Sequence, residues 1–85
     1  MKKRVLIVED YEDTRILLKF MLEKLGYSVI EASGPYDAII VAVGHQEYCE
    51  LDESYFLSIS TPGAVFTDVK GIFRNKISKL NYWSL

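Results

Sequence analysis

Four places in this 85-residue chain hold residue types that could do chemistry. Glu9 and Asp10 follow the run Arg4–Val8. Paired carboxylates at the end of a strand suit a hard divalent cation such as Mg²⁺, which takes oxygen ligands. Two carboxylates by themselves hold Mg²⁺ weakly, because the ion keeps most of its waters. Lys70, followed by Gly71, puts a cation on a loop after a strand, where α/β folds place their ligands, and the glycine allows close backbone approach. His45 is the only histidine. A catalytic histidine needs an orienting acid and a nucleophile, so a lone one caps or packs. Cys49 is the only cysteine and stands between Tyr48 and Glu50. Neighbouring acids disfavour a thiolate, so it reads as a small packed thiol. No Gly-x-Gly-x-x-Gly follows a strand, which removes the dinucleotide-binding fingerprint. These residues predict no enzyme.

The elements that must position these groups follow from the apolar pattern. Arg4–Val8 is a continuous aliphatic run, as in a strand buried on both faces of a parallel sheet. Asp10 is placed to cap the next helix, with Glu12 and Asp13 in its first turn. Ile16, Leu17, Phe20, Met21 and Leu25 form an apolar stripe that Leu18 and Leu22 widen. Gly26 stops the helix, and Tyr27–Ala32 resumes a strand pattern. Ala38–Val43 is the most apolar segment and should be the central strand. Leu51–Ile59 reads as a helix with Asp52 and Glu53 in its first turn, broken by Thr61-Pro62-Gly63. Ala64–Thr67 reads as a short strand, Asn75–Leu80 as a short helix and Asn81–Leu85 as an edge strand.

The connection from the second strand to the third sets the topology. A parallel crossover takes a dozen or more residues, and Ser33–Asp37 supplies five. Either the two strands pair antiparallel around Gly34-Pro35, or the halves exchange with a second chain in a domain-swapped homodimer. One crossover helix is missing, so one sheet face lacks a cover and invites self-association. The fold class is α/β, a small flavodoxin-like or Rossmann-like two- or three-layer sandwich with a mostly parallel sheet, in a single domain.

Composition narrows the setting. An apolar fraction of 49% and a charged fraction of 26% are those of a folded globular chain rather than a disordered one. No apolar run is long enough to span a bilayer, and the basic start runs into Glu9 too soon for a signal peptide. A net charge of −2 gives no case for nucleic acid. A single cysteine excludes an internal disulfide and suits a reducing compartment. A cytoplasmic protein without nucleic-acid or membrane partners is expected.

Residues 1–34, through KRVLIVEDYEDTRILLKFMLEKLGYSVIEA, resemble the first β-α-β unit of response-regulator receiver domains. In that family the acidic pair, here Glu9 and Asp10, helps hold Mg²⁺ beside a phosphoaccepting Asp at the end of the third strand. That position falls here on Ala42, which cannot accept a phosphoryl group. Residues 36–85, through DAIIVAVGHQEY, LDESYF and FTDVKGIFRNKISKLNYWSL, resemble the carboxyl-terminal domain of nucleotide-sugar dehydrogenases. The nearest subgroup is the UDP-N-acetylhexosamine dehydrogenases. The resemblance gives Lys70 and His45 residual roles at a nucleotide-sugar site, without the family's NAD domain or catalytic Cys. The junction at Ser33–Pro35 implies an engineered fold chimera with no designed catalytic or signalling activity and no expected cofactor. Two alternatives stay open: a residual UDP-sugar or nucleotide-binding module, and receiver-like weak Mg²⁺ binding at Glu9 and Asp10 without phosphorelay.

Overall fold

Five strands pair side by side in the computed structural model, which describes residues 3–29, 35–42 and 51–84. In chain order the elements are β1 (Arg4–Val8), α1 (Glu12–Lys24), β2 (Ser28–Val29), β3 (Tyr36–Val41), α2 (Glu53–Ser58), β4 (Ser60–Asp68) and β5 (Asn81–Ser84). The sheet order is β2-β1-β3-β4-β5, and every pairing is parallel. This is the open doubly wound arrangement of flavodoxin-like α/β folds. The expected central strand, Ala38–Val43, appears as β3, in the middle of the sheet.

The expected hairpin between the second and third strands does not form, because β1 lies between β2 and β3. The connection is nonetheless long enough to cross β1. Val29 and Ala38 both pair with Val5, from opposite sides. They therefore stand two strand spacings apart, about 9.6 Å, and Tyr36 lies only two residues before Ala38. Seven Cα links from Val29 to Tyr36 reach roughly 23 Å when extended.

Register fixes which side chains share a face. Val5, Ala38 and Val65 stand level on one face, with Ile7, Ile40, Thr67 and Trp83 in the next row. Leu6, Ile39, Phe66 and Tyr82 share the other face, with Val8, Val41, Asp68 and Ser84 beyond them. The second face carries the core. Phe56 of α2 meets Phe66 at 4.8 Å and Phe73 at 5.3 Å, and Phe66 meets Phe73 at 5.6 Å, all edge to face. All three rings are fully buried, beside Ile39, Val41, Ile77 and Leu80.

Among the described residues, the first face is covered only in part. Helix α1 approaches β1 and β2 alone among the described strands. Leu18 and Leu22 are its half-buried apolar residues, whereas Ile16, Leu17, Phe20, Met21 and Leu25 are exposed. The expected stripe thus points away from the sheet. Its apolar residues occupy more than one side of the helix, so periodicity could not choose its inner side.

Local chemistry explains the other departures. The N-cap of α1 is Tyr11, not Asp10, and no side chain caps it. Glu9 accepts the Tyr11 amide instead, at 3.0 Å. Thr61-Pro62-Gly63 lies inside β4 rather than ending it. Six positions from Ser60 to Val65 face three from Tyr36 to Ala38, so the segment bulges out of the ladder. Residues 75–80 form turns and bends rather than a helix. Asn75 sits at φ +64°, a left-handed conformation that ends helical propagation. The ending does form the edge strand β5.

Candidate functional site at the carboxyl edge of the sheet

The carboxyl ends of β1, β3 and β4 bring three of the expected site residues to one edge. The ladder runs one residue beyond the strands, since Ala42 donates its amide to Val8 O at 3.0 Å and Val69 donates to Val41 O at 2.9 Å. Glu9, Ala42 and Val69 therefore stand side by side, with Asp10 and Lys70 one residue further out. The backbones bearing the acids and the cation are two strand spacings apart, about 9.6 Å. His45 and Cys49 lie outside the described residues.

Local hydrogen bonds fix the backbone at this edge. Glu9 turns back to the Tyr11 amide, and its carbonyl accepts the Arg15 guanidinium at 3.4 Å. These contacts hold the start of α1 against the end of β1, where anionic charge also favours the helix N-terminus. Lys70 is exposed in the turn that follows β4. Gly71 sits at φ +73°, so it serves the turn, and its amide donates to Asp68 O at 3.3 Å. Among the described residues, no group of three His, Cys, Asp or Glu side chains converges to hold a metal ion. Glu9 and Asp10 stand there as a pair of carboxylates without a third.

Asp68, the acid nearest this edge on β4, faces the core. It is 0% exposed and accepts three hydrogen bonds, from the Ile72 amide at 3.1 Å, the Phe73 amide at 2.7 Å and the Tyr82 hydroxyl at 2.7 Å. Burial raises the Tyr82 phenol above its usual range, and the adjoining Asp68 carboxylate adds to the effect. Glu53 is the second such anchor. One of its oxygens accepts the amides of Ser78, Lys79 and Leu80 at 2.9, 2.7 and 3.1 Å. Desolvation opposes its ionisation, but these donors together with the Ser78 hydroxyl hold its pKa below 4.5. The connection from β4 to β5 thus begins on one carboxylate and ends on another, which satisfies amides that no helix or ladder uses. The expected short helix hid both roles. The Phe-rich spacing around Asp68 offered the only sequence sign that this acid would be enclosed.

A cleft of about 400 Å³ opens elsewhere, on the partly covered sheet face towards the amino ends of the strands. Val5, Leu22, Tyr27, Ala38, Ile40 and Val65 supply most of its apolar wall. Its carboxylate, Asp37, accepts the Arg4 amide at 2.9 Å and the Thr61 hydroxyl at 3.2 Å. The Arg4 amide is the main reason its pKa is lowered, against some desolvation and with help from Thr61. The cleft is apolar surface between α1 and β4, at the end of the sheet opposite to the one where α/β folds bind ligands. No described helix is long and apolar enough to cross a membrane. No family model, curated protein or solved structure matches this chain.

Proposed function

We propose that this chain is an engineered fold chimera, a receiver-like β-α-β segment completed by dehydrogenase-like strands, and that it carries no catalytic or phosphotransfer activity. The observation that supports this reading most directly is the place of Ala42. Its amide bonds to Val8 O, so its methyl stands beside Glu9 at the edge position where phosphotransfer would need a carboxylate. Asp68 cannot take over, because its carboxyl is fully buried and turned into the core, where it accepts three hydrogen bonds. The first half thus presents two acids without an acceptor, and the second presents Lys70 without a nucleophile among the described residues. Treatment with acetyl phosphate and Mg²⁺, followed by intact-mass spectrometry, is expected to leave the mass unchanged. A phosphoryl adduct that disappears in Asp10→Ala would overturn the proposal.

A second reading rests on Lys70, which is exposed at the carboxyl end of β4 beside a positive-φ glycine. That placement suits a loose anion contact of the kind a nucleotide diphosphate makes. Calorimetric titration with UDP separates the readings. Saturable heat in the parent that is lost in Lys70→Ala would favour residual nucleotide binding, and equal traces would remove it.

A further inference from the structure

The second half of the β4–β5 connection is held almost entirely by one side chain. The first half is tied into the core by Asp68, which accepts the Ile72 and Phe73 amides. Asn75 then turns the backbone through φ +64°, and the Lys76 amide closes a turn on Phe73 O at 3.0 Å. Beyond that point the amides of Ser78, Lys79 and Leu80 converge on a single oxygen of Glu53, Oε2. The Ser78 hydroxyl takes Oε1 at 3.3 Å. Strand β5 adds little grip of its own. It lies at the edge of the sheet, pairs only with β4, and has no buried residue. Ile77, Leu80 and the stacking of Tyr82 on Phe66 supply the apolar contacts.

We infer that residues 75–84 form a strap with Glu53 as its clasp, which acid opens while β1, β3 and β4 keep their pairing. Three successive amides depend on one carboxylate, so a single proton weakens all three together. Bonds to a neutral acceptor have roughly half the strength of bonds to an ion, and the protonated group also becomes a donor. No neighbouring charge takes its place among the described residues. Asp52 is turned to the Tyr55 amide and the Ser54 hydroxyl. Asp68, the one ionisable residue of β4, is enclosed at the far end of the connection with the Tyr82 hydroxyl. Arg74, Lys76 and Lys79 are exposed cations and offer amides no acceptor. Glu53 is half-buried, so solvent protons reach it. Desolvation opposes its charge, but its donors outweigh that and keep it ionised to below 4.5, so the strap opens under that pH. Release leaves the β4 edge that β5 had paired open to another strand.

Peptide-resolved hydrogen–deuterium exchange, read by mass spectrometry, tests the assignment because it separates local opening from global unfolding. Glu53→Gln carries the neutral state at pH 7. Its residues 75–84 are expected to exchange about tenfold faster than the parent's, as follows from loss of a charged acceptor, with β3 still the better protected. In the parent, residues 75–84 should lose protection at a higher pH than β3 between pH 7 and about pH 3, the carboxylate range, after correction for intrinsic exchange. If Glu53→Gln fails to fold, this pH series decides by itself. Equal exchange of residues 75–84 in variant and parent overturns the inference. So does acid loss of protection in which β3 and residues 75–84 open together, which indicates a single cooperative unit.

Discussion

Asp68→Asn keeps the shape of a fully buried side chain and removes its charge and one acceptor. The two carboxylate oxygens divide three donors between them: Oδ1 takes the Ile72 amide, and Oδ2 takes the Phe73 amide and the Tyr82 hydroxyl. An asparagine must aim its NH₂ at one of those amides, so a buried backbone donor loses its partner. Leaving such a donor unsatisfied costs about 1–3 kcal/mol, and the remaining bonds lose the charge that had strengthened them. The expected loss is about 3–4 kcal/mol, against a total of roughly 4–13 kcal/mol for a chain of this length. With a denaturant slope of about 1 kcal/mol/M, the urea midpoint falls by about 3 M. Tyr82→Phe removes a single donor while Asp68 keeps both amides, so it should cost only about 1 kcal/mol. Urea titration followed by circular dichroism and Trp83 fluorescence measures both variants. A midpoint shift below about 1 M for Asp68→Asn would refute the claim that this carboxylate organises the β4–β5 connection.

Three further outcomes follow from the same geometry. Glu53 ionises more readily in the folded chain than its ordinary value of 4.5, so it contributes stability above that pH and loses it as pH falls through the lowered value. Thermal melts of Glu53→Gln should therefore show a lower midpoint at pH 7 and a flatter decline under acid than the parent; parallel curves would count against it. Ala42→Asp places a third carboxylate beside Glu9 and Asp10, so it should destabilise the chain in chelator and gain thermal midpoint with Mg²⁺. The parent should show no such gain, and an equal response in both would contradict the reading of this edge. Gly26 holds φ +95° at the end of α1, and a Cβ there meets no atom within 4 Å. Gly26→Ala should thus cost about 1 kcal/mol through backbone strain alone, and an unchanged urea midpoint would contradict that.

How much of this was legible in sequence depends on the range of the interaction concerned. The run Arg4–Val8, the apolar segment around Ile39–Val41 and the Asp52 start of α2 are local signals, and each became the element it suggested. Asp52 caps α2 by accepting the Tyr55 amide at 3.1 Å, a contact made within one turn. Asn75–Leu80 resembles a helix locally, but its amides are claimed by Glu53, some twenty-five residues away in the chain. Thr61-Pro62-Gly63 signals a break correctly, yet neighbouring β3 turns that break into a bulge.

The sequence by itself determined the α/β class, the acids after β1 and the cation after β4. These depend on residue type and short spacing. Tertiary structure alone decided that β1 separates β2 from β3, that Asp68 belongs to the core, and that Ile16 and Phe20 face outward while Leu18 and Leu22 face the sheet. A helix whose apolar residues spread over more than one side has no preferred inward face until a neighbouring layer supplies one. Here β1 and β2 supply it for one side only. The other side, like the open half of the sheet, has no partner within the described residues of a single chain.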